Sequence, residues 1–128
     1  MLATAGFTRW QAVITVEWGD FHRGDCMAEN LSDEKLSEED VQSRLVRQPG
    51  WEADGDQCIH RSFTFTDHIT ATGFVVRVAM VAEVMNHHPE MTILYNRVDI
   101  TLSTHDAGGV TELDFTLAER IGGMIGLG

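Results

Sequence analysis

At 128 residues with 43% hydrophobic content, the chain suits one domain with a single core and implies no second one. A formal net charge of −11 and an isoelectric point near 4.7 exclude a non-specific nucleic-acid or anionic-membrane surface, since those partners require clustered Lys and Arg. Two cysteines, Cys26 and Cys58, show no CxxC spacing and are too few for a disulfide framework, so a reducing compartment, by default the cytoplasm, is expected.

The opening segment, Met1 to about Lys35, has no clear helix start or stop. Its one regular stretch is Ala12-Val13-Ile14-Thr15-Val16, which reads as an added strand. The segment lacks the basic beginning, apolar run and small-residue cleavage site of a signal peptide, and it does not read as a membrane span. Met27, followed by the acidic run from Ala28 to Glu34, resembles an ordinary soluble N-terminus. Residues 1–35 are therefore expected to be an extension, disordered or preceding the true start, and residues 36–128 the folded domain.

Leu36-Ser37-Glu38-Glu39-Asp40-Val41 is a helix start, with Ser37 as N-cap, Asp40 at N3 and Leu36 stapled to Val41. Its acidic first turn suits the helix dipole. Val41 and Leu45 give a narrow apolar stripe, and Pro49-Gly50 ends the helix. Trp51 then opens a hairpin with its turn at Asp54-Gly55-Asp56. The returning strand places Ile59, Arg61, Phe63 and Phe65 on one face and His60, Ser62 and Thr64 on the other. A long helix is predicted from an N-cap at Thr66 or Asp67 to about Asn86, with Thr70, Phe74, Val78, Ala82 and Met85 on its inner face. Roughly twenty residues at ~1.5 Å each make a rod of about 30 Å, enough to cover a small sheet.

Pro89 forces His88 out of the α region, so the helix stops near Asn86 or His87 and both histidines leave its terminus. Alternation resumes after Glu90, giving strands through Tyr95 and through Val98-Ile100-Leu102, with His105 just past the second. Phe74 and Tyr95 are read as core residues. Asp106-Ala107-Gly108-Gly109 forms a turn, and Thr111-Glu112-Leu113-Asp114 repeats the capping-box pattern before a last helix facing Leu113, Leu117, Ile121 and Met124 inward. The order helix, two strands, helix, two strands, helix predicts an α+β fold: a four-stranded, mainly antiparallel sheet with helices on one face. Within it, three of the six histidines come to element ends where they can converge on one pocket.

The run Glu83-x3-His87-His88-Pro89-x5-Tyr95-x9-His105-x8-Asp114 resembles the signature of pterin-4a-carbinolamine dehydratases. The similarity extends from about Leu36 to the C-terminus and includes Gly50-Trp51, Phe63-x-Phe65, Phe74-x-x-Arg77-Val78-Ala79 and Thr101-x-x-Thr104-His105. The resemblance implies a homodimer or homotetramer and removal of water from a 4a-hydroxytetrahydropterin to give a quinonoid dihydropterin, a step of pterin cofactor recycling. It also implies a functional link to a pterin-dependent aromatic amino-acid hydroxylase. The family's pterin-site histidines correspond to His87, His88 and His105, and its acidic residue to Asp114. Two features depart from the pattern. Met91 stands where many members carry a Trp beside the ligand, so a Trp at this position is expected to be tolerated and to add stacking. The first 35 or so residues have no counterpart in the short family core.

Such a dehydration delivers a proton to the departing 4a-hydroxyl and takes one from N5. Imidazole is the side chain closest to half-protonation near neutral pH. The expected catalytic pair is His87 and His105, with His88 orienting the pterin, and Asp114 and Glu83 completing the substrate site. Asp114 could hold His105 in one tautomer, but it is also the N3 residue of a capping box begun by Thr111. Glu83, one turn before His87, could equally pair with that histidine or face solvent. The chemistry asks for no metal and no cofactor. A zinc site built from the three histidines and a carboxylate is disfavoured, because adjacent histidines diverge and Pro89 stiffens the backbone after them. The alternative function is a non-catalytic assembly or regulatory partner of the same fold, a role that predicts loss of histidines which this chain retains.

Overall fold

The structure, a computed structural model, describes residues 13–16 and 32–125. Polar residues fix where its helices begin. Ser37 accepts the amide of Asp40 at 3.1 Å and starts α1 (Glu38–Leu45), with the acidic first turn at the positive end of the dipole. Asp67 accepts the amide of Thr70 at 2.7 Å and starts α2 (His68–Met85). The last helix, α3 (Glu112–Ile125), follows Thr111.

Between these helices lie β2 (Glu52–Asp54), β3 (Cys58–Thr64), β4 (Glu90–Leu94) and β5 (Arg97–Leu102), in the predicted α-β-β-α-β-β-α order. They form the expected four-stranded antiparallel core. A further strand, β1 (Val13–Val16), falls in the stretch read as an added strand and pairs antiparallel with β4, giving the sheet order β1-β4-β5-β3-β2. The remaining expectations for residues 1–35, including a start at Met27, lie largely outside the described residues.

Period-two alternation sorts the sheet into two faces. Ile59, Phe63, Met91, Ile93, Val98, Ile100 and Leu102 turn inward and are buried. Ser62 and Asp99, opposite one another across β3 and β5, hydrogen-bond on the outer face. From α2, Ala71, Phe74, Val78, Ala82 and Met85 pack inward, joined from α3 by Leu113, Leu117 and Ile121. The Phe74 ring is fully buried, with centroids 5.0 Å from Phe63 and 4.9 Å from Phe65. Arg61, at the rim of this face, lies over the Phe63 ring at 4.6 Å and donates to the Pro49 carbonyl. It passes so close to Gly50 that a Cβ there would sit 2.7 Å from the guanidinium. The backbone φ of +92° is what favours glycine here, since the Arg61 side chain could shift aside but the left-handed backbone strains any residue with a Cβ.

Tyr95 departs from expectation. It is 42% exposed, at the β4–β5 turn, with φ +53°. Leu94 and Arg97 still pair, so Tyr95 and Asn96 must reverse the chain and cannot point to the core. Their backbone is tied down instead: His68 Nδ1 donates to the Tyr95 carbonyl at 2.7 Å, and the Asn96 carbonyl accepts the Phe65 amide at 2.9 Å while the Asn96 side-chain amide donates to Phe65 O at 2.8 Å.

Two outcomes test this account. Phe74→Ala removes a ring with no exposed surface and is expected to destabilise the domain by about 3–5 kcal/mol in denaturant titration. The Thr70 amide holds the Asp67 acid below its ordinary value of 3.8, so the stabilisation is full above that value and is lost as pH falls through the lowered one. Asp67→Asn, still able to cap α2, should therefore remove this component from the acid-unfolding curve.

Candidate active site

The end of α2 sets the first two histidines. Asn86 adopts a left-handed conformation with φ +51°, its amide bonds the Glu83 carbonyl at 3.1 Å, and the His87 amide bonds the Ala82 carbonyl at 3.0 Å. This is a Schellman ending, a role Asn fills more readily than other non-glycine residues. Pro89 follows two residues later and keeps the chain extended into β4. The imidazoles then separate. His87 turns inward and its Nε2 lies 2.6 Å from Asp114 Oδ1, whereas His88 Nε2 lies 2.9 Å from Glu83 Oε2. The two adjacent histidines thus engage different carboxylates, one at each side of the helix end.

Asp114 is fully buried and His87 is 7% exposed. Both carboxylate oxygens of Asp114 are committed: Oδ1 to His87, and Oδ2 to the Thr104 hydroxyl at 2.8 Å and the Thr111 amide at 2.9 Å. The bond from the Thr111 amide is the reciprocal arm of the capping box, so the two readings of Asp114 hold together. The partner differs from the one anticipated, however: the residue orients His87, not His105. Sequence order made His105 the nearer candidate, but the turn after β5 carries its side chain outward while the inward position goes to Thr104.

His105 begins a 3-10 turn (His105–Ala107) closed by Gly108 at φ +77°. Its imidazole is exposed and makes no hydrogen bond or ion pair among the described residues. Its connection to His87 runs through its neighbour Thr104 and the Asp114 carboxylate. Glu83 is half exposed, 52% by side chain, and pairs with His88 in place of His87. Cys58 contributes no ready nucleophile, because burial, followed by the charge of Asp54, pushes its thiol upward.

Thr104 and Thr111 belong to the site as well, although motif spacing does not mark them. A signal was nevertheless present: Val98, Ile100, Leu102 and Thr104 continue one alternating face, so Thr104 is a polar residue on a core register. It is 4% exposed, and Thr111 is fully buried. Met91 also lies elsewhere than anticipated. It is 1% exposed in the core face of β4, opposite Ile100, so a Trp there has to displace packed neighbours. A groove of about 1280 Å³ between α1, β3 and α3, lined by Arg44, Arg47, Arg61 and Phe115 among others, holds none of the three histidines.

The family model described as pterin 4 alpha carbinolamine dehydratase matches residues 34–124. The chain belongs to the pterin-4-alpha-carbinolamine dehydratase family. A Burkholderia multivorans protein is 54% identical over 85 residues, covering 66% of this chain and 83% of its own. A Bradyrhizobium sp. protein is 55% identical over 89 residues, covering 69% of this chain and 90% of its own. Both bear names that assign them provisionally to pterin-4-alpha-carbinolamine dehydratase. The crystal structure of a transcriptional coactivator/pterin dehydratase from Brucella melitensis superposes with a TM-score of 0.67 at 44% identity, covering 70% of this chain and 97% of that one. The matched span begins after β1, so the added strand lies outside the family core.

The site geometry gives two checks on stability. Asp114→Ala leaves the His87 nitrogen, the Thr104 hydroxyl and the Thr111 amide without their buried acceptor. Its expected cost is about 3–5 kcal/mol, measured by chemical denaturation. Met91→Trp overfills the core and should lower stability by about 1–3 kcal/mol, replacing the expectation of a tolerated stacking residue.

Proposed function

We propose that this chain dehydrates a 4a-hydroxytetrahydropterin to a quinonoid dihydropterin and water, acting as a hydro-lyase in pterin recycling. The observation that carries this reading is the buried Asp114 carboxylate dedicated to His87. By accepting from Nε2–H, Asp114 fixes the neutral imidazole with its lone pair on Nδ1, an atom with no hydrogen-bond partner among the described residues. His87 then handles one proton through Nδ1. His105, exposed and without a side-chain partner among the described residues, handles the other. One imidazole protonates the 4a-hydroxyl as the C4a–O bond breaks. The other takes the N5 proton as the C4a–N5 double bond forms.

The remaining residues take supporting roles. His88, held by Glu83 at 2.9 Å, orients the pterin, and Asp114 acts through His87 because neither of its oxygens is left for substrate. The Brucella relative's description couples a dehydratase with a coactivator, so a regulatory role stands as the second reading. A side chain set for proton transfer favours catalysis in this chain.

We further propose a homodimer or homotetramer that uses the outer side of α2. Ile69, Val76, Met80 and Val84 form an exposed apolar stripe there, between 52% and 83% exposed, on a helix otherwise packed to the sheet.

Replacing either His87 or His105 with Ala should lower turnover roughly 10²–10⁴-fold with the fold retained. The double variant should fall by much less than the product of the single effects, because the two groups serve one transition state. Coupled measurement of carbinolamine dehydration above background tests both statements, and a folded double variant turning over at the wild-type rate sinks the reading. His88→Ala should weaken competitive binding of a dihydropterin analogue, and unchanged affinity would remove His88 from the site.

A further inference from the structure

We propose that Thr104 is a positioning residue that registers the His105 turn against the His87–Asp114 pair and, through Asp114, holds His87 in a single tautomer. Every polar group of Thr104 is used. Its amide donates to the Gly109 carbonyl at 2.8 Å, and its carbonyl accepts from the amides of Ala107, Gly108 and Gly109 at 3.1, 3.0 and 3.3 Å. The backbone of Thr104 is thus the anchor onto which the turn carrying His105 folds back.

The side chain faces the opposite way, toward the buried carboxylate. A threonine hydroxyl has one hydrogen to give. That of Thr104 goes to Asp114 Oδ2 at 2.8 Å, so the 2.8 Å contact between the Thr104 and Thr111 hydroxyls must take its hydrogen from Thr111. Thr111 Oγ1 in turn accepts the Leu113 amide at 3.2 Å. The donors therefore run one way: Leu113 N–H to Thr111, Thr111 to Thr104, Thr104 to Asp114. Oδ2 also receives the Thr111 amide, and Oδ1 faces only His87 Nε2 at 2.6 Å. A carboxylate satisfied as acceptor at Oδ2 takes the His87 Nε2–H at Oδ1, and the ring cannot turn over without breaking this order. One residue thereby fixes two distances at once, that of His105 through its backbone and that of His87 through its hydroxyl.

The kinetic consequence of this role rests on the dehydratase reading above, whereas its spectroscopic consequence does not. Thr104→Val keeps the branched shape and removes the hydroxyl, and Thr104→Ser keeps the hydroxyl and removes the methyl. In nitrogen-15 NMR of the full chain without substrate, His87 should be the Nε2–H tautomer in the wild type and in Thr104→Ser, and a tautomer mixture in Thr104→Val. In turnover assays, Thr104→Val should lose about 10–100-fold in kcat with KM changed by less than about threefold, and Thr104→Ser should stay within about threefold of wild type. A wild-type His87 found in the Nδ1–H tautomer overturns the proposal. So does a folded Thr104→Val protein with unchanged tautomer and kcat, or a Thr104→Ser protein as impaired as the Val variant. If Thr104→Val does not fold, the wild-type tautomer and the Ser variant still decide the matter. A wild-type chain with no dehydration activity sinks the dehydratase reading alone, and the tautomer measurement still decides the role of Thr104.

Discussion

The Asp114 carboxylate is the constraint on which the histidine-bearing end of this molecule depends. Buried without exposed surface, it meets three elements at once: the end of α2 through His87, the chain leaving β5 through Thr104, and the start of α3 through Thr111. A buried anion is costly unless every lone pair finds a donor. Here the donors come from separate parts of the chain, so satisfying the charge and docking the elements are one event. The same bonds that keep the carboxylate from being a liability also orient an imidazole. Stability and function at this corner are for that reason hard to separate by mutation, and conservative changes that keep shape are the informative ones.

Much of the fold was legible because its signals are local. Ser37 and Asp67 announce helix starts through the amides they cap, and Pro89 with Asn86 marks the end of α2. The alternation of Val98, Ile100 and Leu102 gives the inner face of β5 directly. The candidate histidines could be found as residues for the same reason, since spacing and the proline place them at element ends. Their partners could not. Whether Asp114 meets His87 or His105 depends on how α3 docks against α2 and on the twist of one short turn, neither of which leaves a periodic trace. Met91 and Tyr95 show the other side of the limit. Their environments follow from strand register and hairpin geometry: a one-residue difference in where the chain reverses turns an inward aromatic into an exposed one.

Helix α2 combines two demands within eighteen residues. Its inner row, from Ala71 to Met85, supplies much of the hydrophobic core, and its outer row is also apolar at Ile69, Val76, Met80 and Val84. Such a helix is long and apolar enough to resemble a membrane span by composition. Its inner face is nevertheless packed on the antiparallel sheet, and its C-terminal turn delivers two histidines to a polar cluster. His87 is positioned by the stiff end of this rod, so its approach to Asp114 is inherited from core packing along the helix.

The placement of β1 has a consequence for how the sheet meets other chains. A strand with a bare row of amides and carbonyls is a template for adding a strand from elsewhere, and long apolar borders are the most hazardous. Beside the five residues of β4, which follow the histidine pair and Pro89, β1 fills that row with four of its own, in register from Val13 opposite Leu94 to Val16 opposite Met91. At the far border stands β2, only three residues long, with Glu52 and Asp54 exposed on either side of Ala53. The sheet is thus bounded by its two shortest strands. The longer apolar ladders beneath α2 are enclosed within it, and the strand next to the His87–Asp114 pair is shielded from pairing with a stray segment.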